Sequence, residues 1–97
     1  MNGKELNEII FEWDESKAGS NLKKHSVSFH EAATVCEDSD SMTFDDPDHS
    51  GEEDRFLTIG YSSLNRLIIV SHADNQNTTR IISARRATKS ERRLYEN

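Results

Sequence analysis

The run RIISARRATKSERR, Arg80 to Arg93, holds six of the twelve Lys and Arg residues of an otherwise acidic chain. Guanidinium forks keep their charge and match the geometry of phosphate oxygens. The first half of the run reads as a strand. Simple alternation then places Arg80, Ile82 and Ala84 on one side, Ile81, Ser83 and Arg85 on the other, and Arg86 at the exit. A helix beginning near Lys89 brings the positive end of its dipole close by. Strand-end arginines beside a helix start suit a phosphate cradle. The competing reading is a set of surface ion pairs to Glu91, Glu96 and an acidic loop, and for Arg92 and Arg93 it is the better one.

A second group lies earlier. Lys17, Asn21, Lys24 and His25 fall at i, i+4, i+7 and i+8, which gathers them on one polar helix face. Histidine changes charge most easily near neutral pH. Alone at a helix end it usually interacts with the free carbonyls there; here its company gives it weight.

Other chemistries fit less well. Asp46-Pro47-Asp48-His49-Ser50-Gly51 starts like a calcium loop, but the twelfth position is Leu57 where a bidentate Glu is required. Glu52, Glu53 and Asp54 with Asp48 and His49 read as a solvated loop. One Cys and scattered His residues show no zinc spacing. No nucleophile-elbow pattern is present, and Cys36 falls on an apolar helix face. No metal or other cofactor is expected.

The elements that must position these residues follow from local pattern. Residues 9–13, IIFEW, read as a strand, and Asp14 caps a helix running to about Lys24, with Ala18 and Leu22 inward. Ser28-Phe29-His30-Glu31 is a capping box for a second helix, with Val27 and Ala32 as its staple. Phe29, Ala32, Ala33 and Cys36 form that helix's inward stripe. A short strand is expected at Met42 to Phe44, then strands at 55–61, 66–71 and 79–85, with turns at 62–65 and 73–77. Thr88-Lys89-Ser90-Glu91 repeats the capping logic for a last helix at 89–96. The order β-α-α-β-β-β-β-α implies an α+β fold with helices on a mainly antiparallel sheet.

Bulk numbers bound the rest. Ninety-seven residues, 33% hydrophobic and 31% charged, imply one domain over 1–97 with a small core. The longest apolar stretch, Leu67 to Val70, is too short to span a membrane. The opening MNGKELNE carries no leader-like segment, and a lone Cys fits a reducing compartment, so a cytoplasmic protein is expected. Residues 37–79 carry ten acids and two bases, while residues 80–97 carry six bases and two acids. The net charge of −6 therefore hides a basic end behind an acidic middle.

Three stretches, FEWDESKAGSNLKKHSVSFHEAATV, DPDHSGEEDRFLTIGYSS and RIISARRATKSERRLYE, strongly resemble the BrnT family of bacterial toxins. The resemblance runs from Phe11 to Glu96. It implies a RelE-like fold and a ribonuclease toxin of a type II toxin–antitoxin system, which cuts RNA and arrests translation. It also implies a BrnA-like DNA-binding antitoxin, in a heterotetramer or another antitoxin-mediated dimer. The family pattern falls on Trp13, Lys17, Asn21, Lys24 and His25, then on His49, Glu53 and Arg55, then on Arg80, Arg85, Arg86 and Tyr95. Asp54 stands where the family commonly has Glu.

Cleavage without metal needs a base, an acid and cations for the phosphate charge. Arg80 and Arg85 are the candidate cations. They start on opposite strand faces and converge only if twist or a bulge turns one; otherwise Arg86 replaces Arg85 beside Arg80. His25 and Lys24 are candidates for acid and base, with Glu53 as rival base. Arg86, Arg55, Lys17, Asn21, Trp13 and Tyr95 are candidates for holding RNA, and Trp13 serves equally well as a core anchor. The guanidinium groups are expected to meet in one shallow anion pocket beside the first helix. A non-enzymatic module that docks nucleic acid or an acidic partner is the alternative.

Overall fold

Asp14 separates the first strand from the first helix. Its carboxylate accepts from the backbone N–H of Ser16 at 2.8 Å and of Lys17 at 3.2 Å, two of the amides a helix start leaves free. Strand β1 (Ile10–Glu12) precedes it and helix α1 (Glu15–His25) follows. Ser26 ends α1 in the left-handed region, φ 58°, and its N–H returns to the Leu22 carbonyl. The structure, a computed structural model, describes residues 9–47 and 54–97. His49 and Glu53, with most of the acidic loop, lie outside the described residues.

Helix α2 (Phe29–Glu37) starts from Ser28, whose hydroxyl accepts from the Glu31 N–H at 3.0 Å. The capping box expected here is only half formed. The Glu31 carboxylate is buried and turns instead to Arg66 Nε (2.9 Å) and the Ser62 hydroxyl (2.6 Å). A full guanidinium charge offers a buried carboxylate more than one backbone amide does. Arg66 also donates to the Ser26 carbonyl at 2.8 Å, so one side chain joins the end of α1 to the start of α2.

Strands β2 (Met42–Asp45), β3 (Arg55–Tyr61), β4 (Leu67–Asn75) and β5 (Thr78–Arg86) and helix α3 (Lys89–Glu96) complete the order expected from the sequence. The fold is α+β. The five strands form one sheet in the order β1-β5-β4-β3-β2, antiparallel except where β1 runs parallel to β5. The turn placed at 73–77 is tighter than expected. Both strands run on to a turn at Gln76, which takes φ 56°.

α1 and α2 pack on one face of the sheet. Val27, Phe29, Ala32 and Val35 meet Ile68, Val70, Ile81 and Ala84, and Phe11, Trp13, Ala18, Ala33 and Cys36 pack around them. Burial pushes the Cys36 thiol up to about 12, which leaves it unreactive at neutral pH. Leu22, expected inward, is 51% exposed. α1 reaches the sheet through Ala18 and through Asn21, which was expected on the polar face and is buried.

Simple alternation fails in β5. Ser71 pairs with Ser83 and His72 with Ile81, so Ile82 is an extra residue. The bulge resets which residues face the core. Ile81 and Ala84 both point toward the helices. Arg80, Ser83 and Arg85 stand opposite Ala73, Ser71 and Ile69, alternate residues of β4, and so share the other face. Arg80 and Arg85, expected on opposite sides, are on the same side. Arg86 stands opposite the core residue Ile68, on the helix side.

Candidate functional site

Asn21 explains where the candidate site sits. β1 accompanies β5 only as far as Arg80. Beyond that point β5 would present bare backbone at the sheet edge. The Asn21 amide takes the strand's place: it donates to the Ala84 carbonyl at 2.8 Å and accepts from the Ala84 N–H at 3.0 Å. It also donates to the Val27 carbonyl at 2.9 Å. Every polar atom of this side chain is engaged with the protein, so it fixes the last turns of α1 against β5.

With α1 held there, Lys17, Ser20, Lys24 and His25 line one side of a cavity of about 200 Å³ whose other side is Ile82 and Ser83. A second cavity of about 90 Å³ is lined by His25, Ser71, Ser83, Leu57, Ile69 and Arg85. The two share His25 and Ser83. They therefore adjoin, with Lys17 and Lys24 lining one, Arg85 lining the other and His25 lining both. Exposure of Lys17, Lys24 and His25 leaves them accessible.

Arg85 is already paired. Its two terminal nitrogens donate to the two Glu91 oxygens, each at 2.9 Å. The same carboxylate accepts from the Thr88 N–H at 2.8 Å, and Thr88 caps Glu91, so the expected capping box of α3 is complete. The Arg85 fork, with help from that backbone donor, holds the Glu91 carboxyl at about 2.

Arg80 does not share these cavities. Their partners on β4, Ala73 for Arg80 and Ile69 for Arg85, are four residues apart, which puts Arg80 roughly 13 Å from Arg85 along the sheet. It lines a separate cavity of about 490 Å³ with Glu12, Asp54, Asp74, Asn75 and Thr78. The single anion pocket expected for Arg80 and Arg85 is therefore not formed: the bulge gives them a common face but not a common cavity. Arg86 does not replace Arg85 beside Arg80, because it faces the helices, where its charge acts on Glu31. Arg55 stands across β4 from Arg80, both opposite Ala73, at the acidic cavity's end of the sheet.

The aromatic candidates lie elsewhere. The Trp13 ring meets Phe29 edge-on at 6.0 Å and His30 at 4.8 Å, at the margin of the core. The Tyr95 hydroxyl donates to the Asp40 carbonyl at 2.9 Å, and its ring meets Tyr61 at 6.1 Å. Ser71 and Ser83 were missed by sequence reasoning. Their only signal is register, which a bulge conceals. His72 was also missed. It is buried, with Nδ1 2.7 Å from Asp74 and Nε2 2.7 Å from the Thr58 hydroxyl. Among the described residues no group of three His, Cys, Asp or Glu side chains is arranged to hold a metal, and no helix is long and apolar enough to cross a membrane.

The sequence pattern of a family described as "Ribonuclease toxin, BrnT, of type II toxin-antitoxin system" matches residues 13–91. The chain belongs to the BrnT family. The crystal structure of the Brucella abortus ribonuclease toxin BrnT superimposes with a TM-score of 0.61 at 25% identity, over 84% of this chain and 97% of that one. Comparison with curated proteins gave no match. The BrnT match takes in every residue of the two adjoining cavities, from Lys17 to Arg85, and also Glu91, and leaves Tyr95 outside. Membership in a type II toxin–antitoxin family implies an antitoxin partner.

Proposed function

We propose that this chain is a metal-independent endoribonuclease that cuts RNA and arrests translation until a BrnA-like antitoxin neutralises it. The observation that carries this reading is the position of His25, which lines two adjoining cavities, with Lys17 and Lys24 on one side and Arg85 on the other. In the reaction, the 2′-oxygen of one nucleotide attacks the adjoining phosphorus and the bond to the 5′-oxygen breaks. His25 or Lys24 takes the 2′ proton and the other group protonates the leaving 5′-oxygen. Arg85 and Lys17 stabilise the added negative charge of the phosphorane. Arg80 and Arg55, at the acidic cavity, hold the strand farther along. Asn21 acts as a positioning residue. Glu53, the rival base, lies outside the described residues.

The net charge of −6 supports weak binding to bulk RNA, since affinity follows the number of phosphates neutralised. That suits a substrate presented by another particle, such as the ribosome. One observation favours the alternative of a non-enzymatic binding module: the Arg85–Glu91 fork occupies a guanidinium that cleavage requires.

Incubating the purified chain with an RNA oligonucleotide separates the two. The expected products end in 2′,3′-cyclic phosphate, form equally well in EDTA, and are absent from a substrate with 2′-deoxyribose at the cut site. 5′-Phosphate ends or EDTA inhibition would overturn the mechanism, and RNA left intact both free and on purified ribosomes would leave the binding module.

A further inference from the structure

The face of the sheet turned away from α1 and α2 carries a second groove, which adjoins the candidate site through Leu57, Ile69 and Glu91. Met42, Phe44, Leu57, Ile59 and Ile69 line a groove of about 220 Å³ beneath α3, closed on its far side by Leu94 and Tyr95. The apolar groups here are unusually open: Met42 is 47%, Phe44 52% and Leu94 79% exposed. α3 has no buried residue. The groove runs directly into β2, which is an outer strand of the sheet and is exposed along its whole length. An outer strand with exposed apolar side chains is a template for adding a further strand.

Charge identifies the kind of strand that would fit. Asp38 and Asp40 lie beside Tyr95 at the end of the strip, and no Lys or Arg occurs anywhere from Glu37 to Asp54. A second copy of this chain would bring the same carboxylates against their own kind, on molecules each carrying −6. A segment with apolar side chains on one face and Lys or Arg at its margins meets both the groove and the rim.

We propose that the outer edge of β2 and the groove beneath α3 form the docking surface for a basic, extended segment of the antitoxin. This rests on the toxin reading above. The segment adds a strand to β2, sets its apolar side chains against Phe44, Met42 and Leu94, and places its cations among the bordering carboxylates.

The test titrates the purified antitoxin encoded with this chain into the wild type, Phe44→Asp and the milder Phe44→Ala, with thermal melts confirming that each is folded. Phe44→Asp should weaken Kd by about 100-fold or more and Phe44→Ala by less, and wild-type binding should weaken as salt rises. Affinities within about threefold of the wild type in both folded variants would overturn the proposal. So would a wild-type homodimer, formed without antitoxin, that Phe44→Asp dissociates. RNA cleavage is followed in the same samples. If the chain cuts RNA and the antitoxin silences wild type and Phe44→Asp equally, the docking surface falls and the toxin reading stands. If nothing is cut yet Phe44→Asp still loses the antitoxin, the cleavage reading falls and the docking surface stands.

Discussion

The two ends of β5 carry arginines of one face into opposite surroundings. At the β1 end, Arg80 looks into a cavity with three carboxylates, Glu12, Asp54 and Asp74. At the other end, Arg85 is held by the single carboxylate of Glu91, and the other ionisable groups lining its cavities, His25, Lys24 and Lys17, come from α1. The residues are the same type on the same strand. What differs is the element alongside: β1 and its Glu12 at one end, the last turns of α1 at the other. The surroundings of a basic residue here are set by its neighbour across the sheet edge, and the sequence run in which it occurs does not decide them.

The sharpest way to break this contrast is to compare truncations. Arg85→Ala should lower the rate of RNA cleavage about 1,000-fold, as removal of a transition-state donor commonly does. Arg80→Ala should lower it about tenfold, through weaker strand binding. Equal losses on single-turnover assay would erase the distinction between the ends. Asn21→Ala tests what brings α1 to β5. It strands the Ala84 and Val27 backbone groups, so stability should fall by about 3 kcal/mol, roughly 15 °C in Tm. An unchanged melt would show that the helix is held without it.

The smallest effect concerns acid. The Arg66 guanidinium holds the Glu31 carboxyl below its usual range, and Arg85 does the same to Glu91. Folded carboxyls below their unfolded values add stability above about pH 4.5, and this is lost as pH falls toward the folded values, near 2 for Glu91. Tm should therefore drop by roughly 5 °C between pH 5 and pH 3, since both pairs are partly screened. Glu91→Gln should flatten only the part of that slope below about pH 4.5, and an unaltered slope would mean the fork adds nothing.

The element order was legible because each start has a local cause: Asp14, Ser28 and Thr88 all cap helices where their side chains predict. The basic α1 face was legible in part. Lys17, Lys24 and His25 do share a wall, but Asn21 on the same stripe points inward, because helical spacing cannot say that a neighbouring strand lacks a partner. The face of Arg85 was illegible for a different reason. One unpaired residue, Ile82, inverts everything after it, and nothing in RIISAR marks it. The ion pair of Glu31 with Arg66 joins residues 35 apart, beyond any local pattern.

Glu91 closes the first turn of α3 with Oε1 and grips Arg85 with Oε1 and Oε2. Fraying of that turn and release of the guanidinium are therefore a single event. The fraction of molecules with an available cation at the candidate site follows the helicity of the last eight-residue segment, so a contact that merely winds or unwinds the chain's end sets the strength of a charge on the far side of the turn.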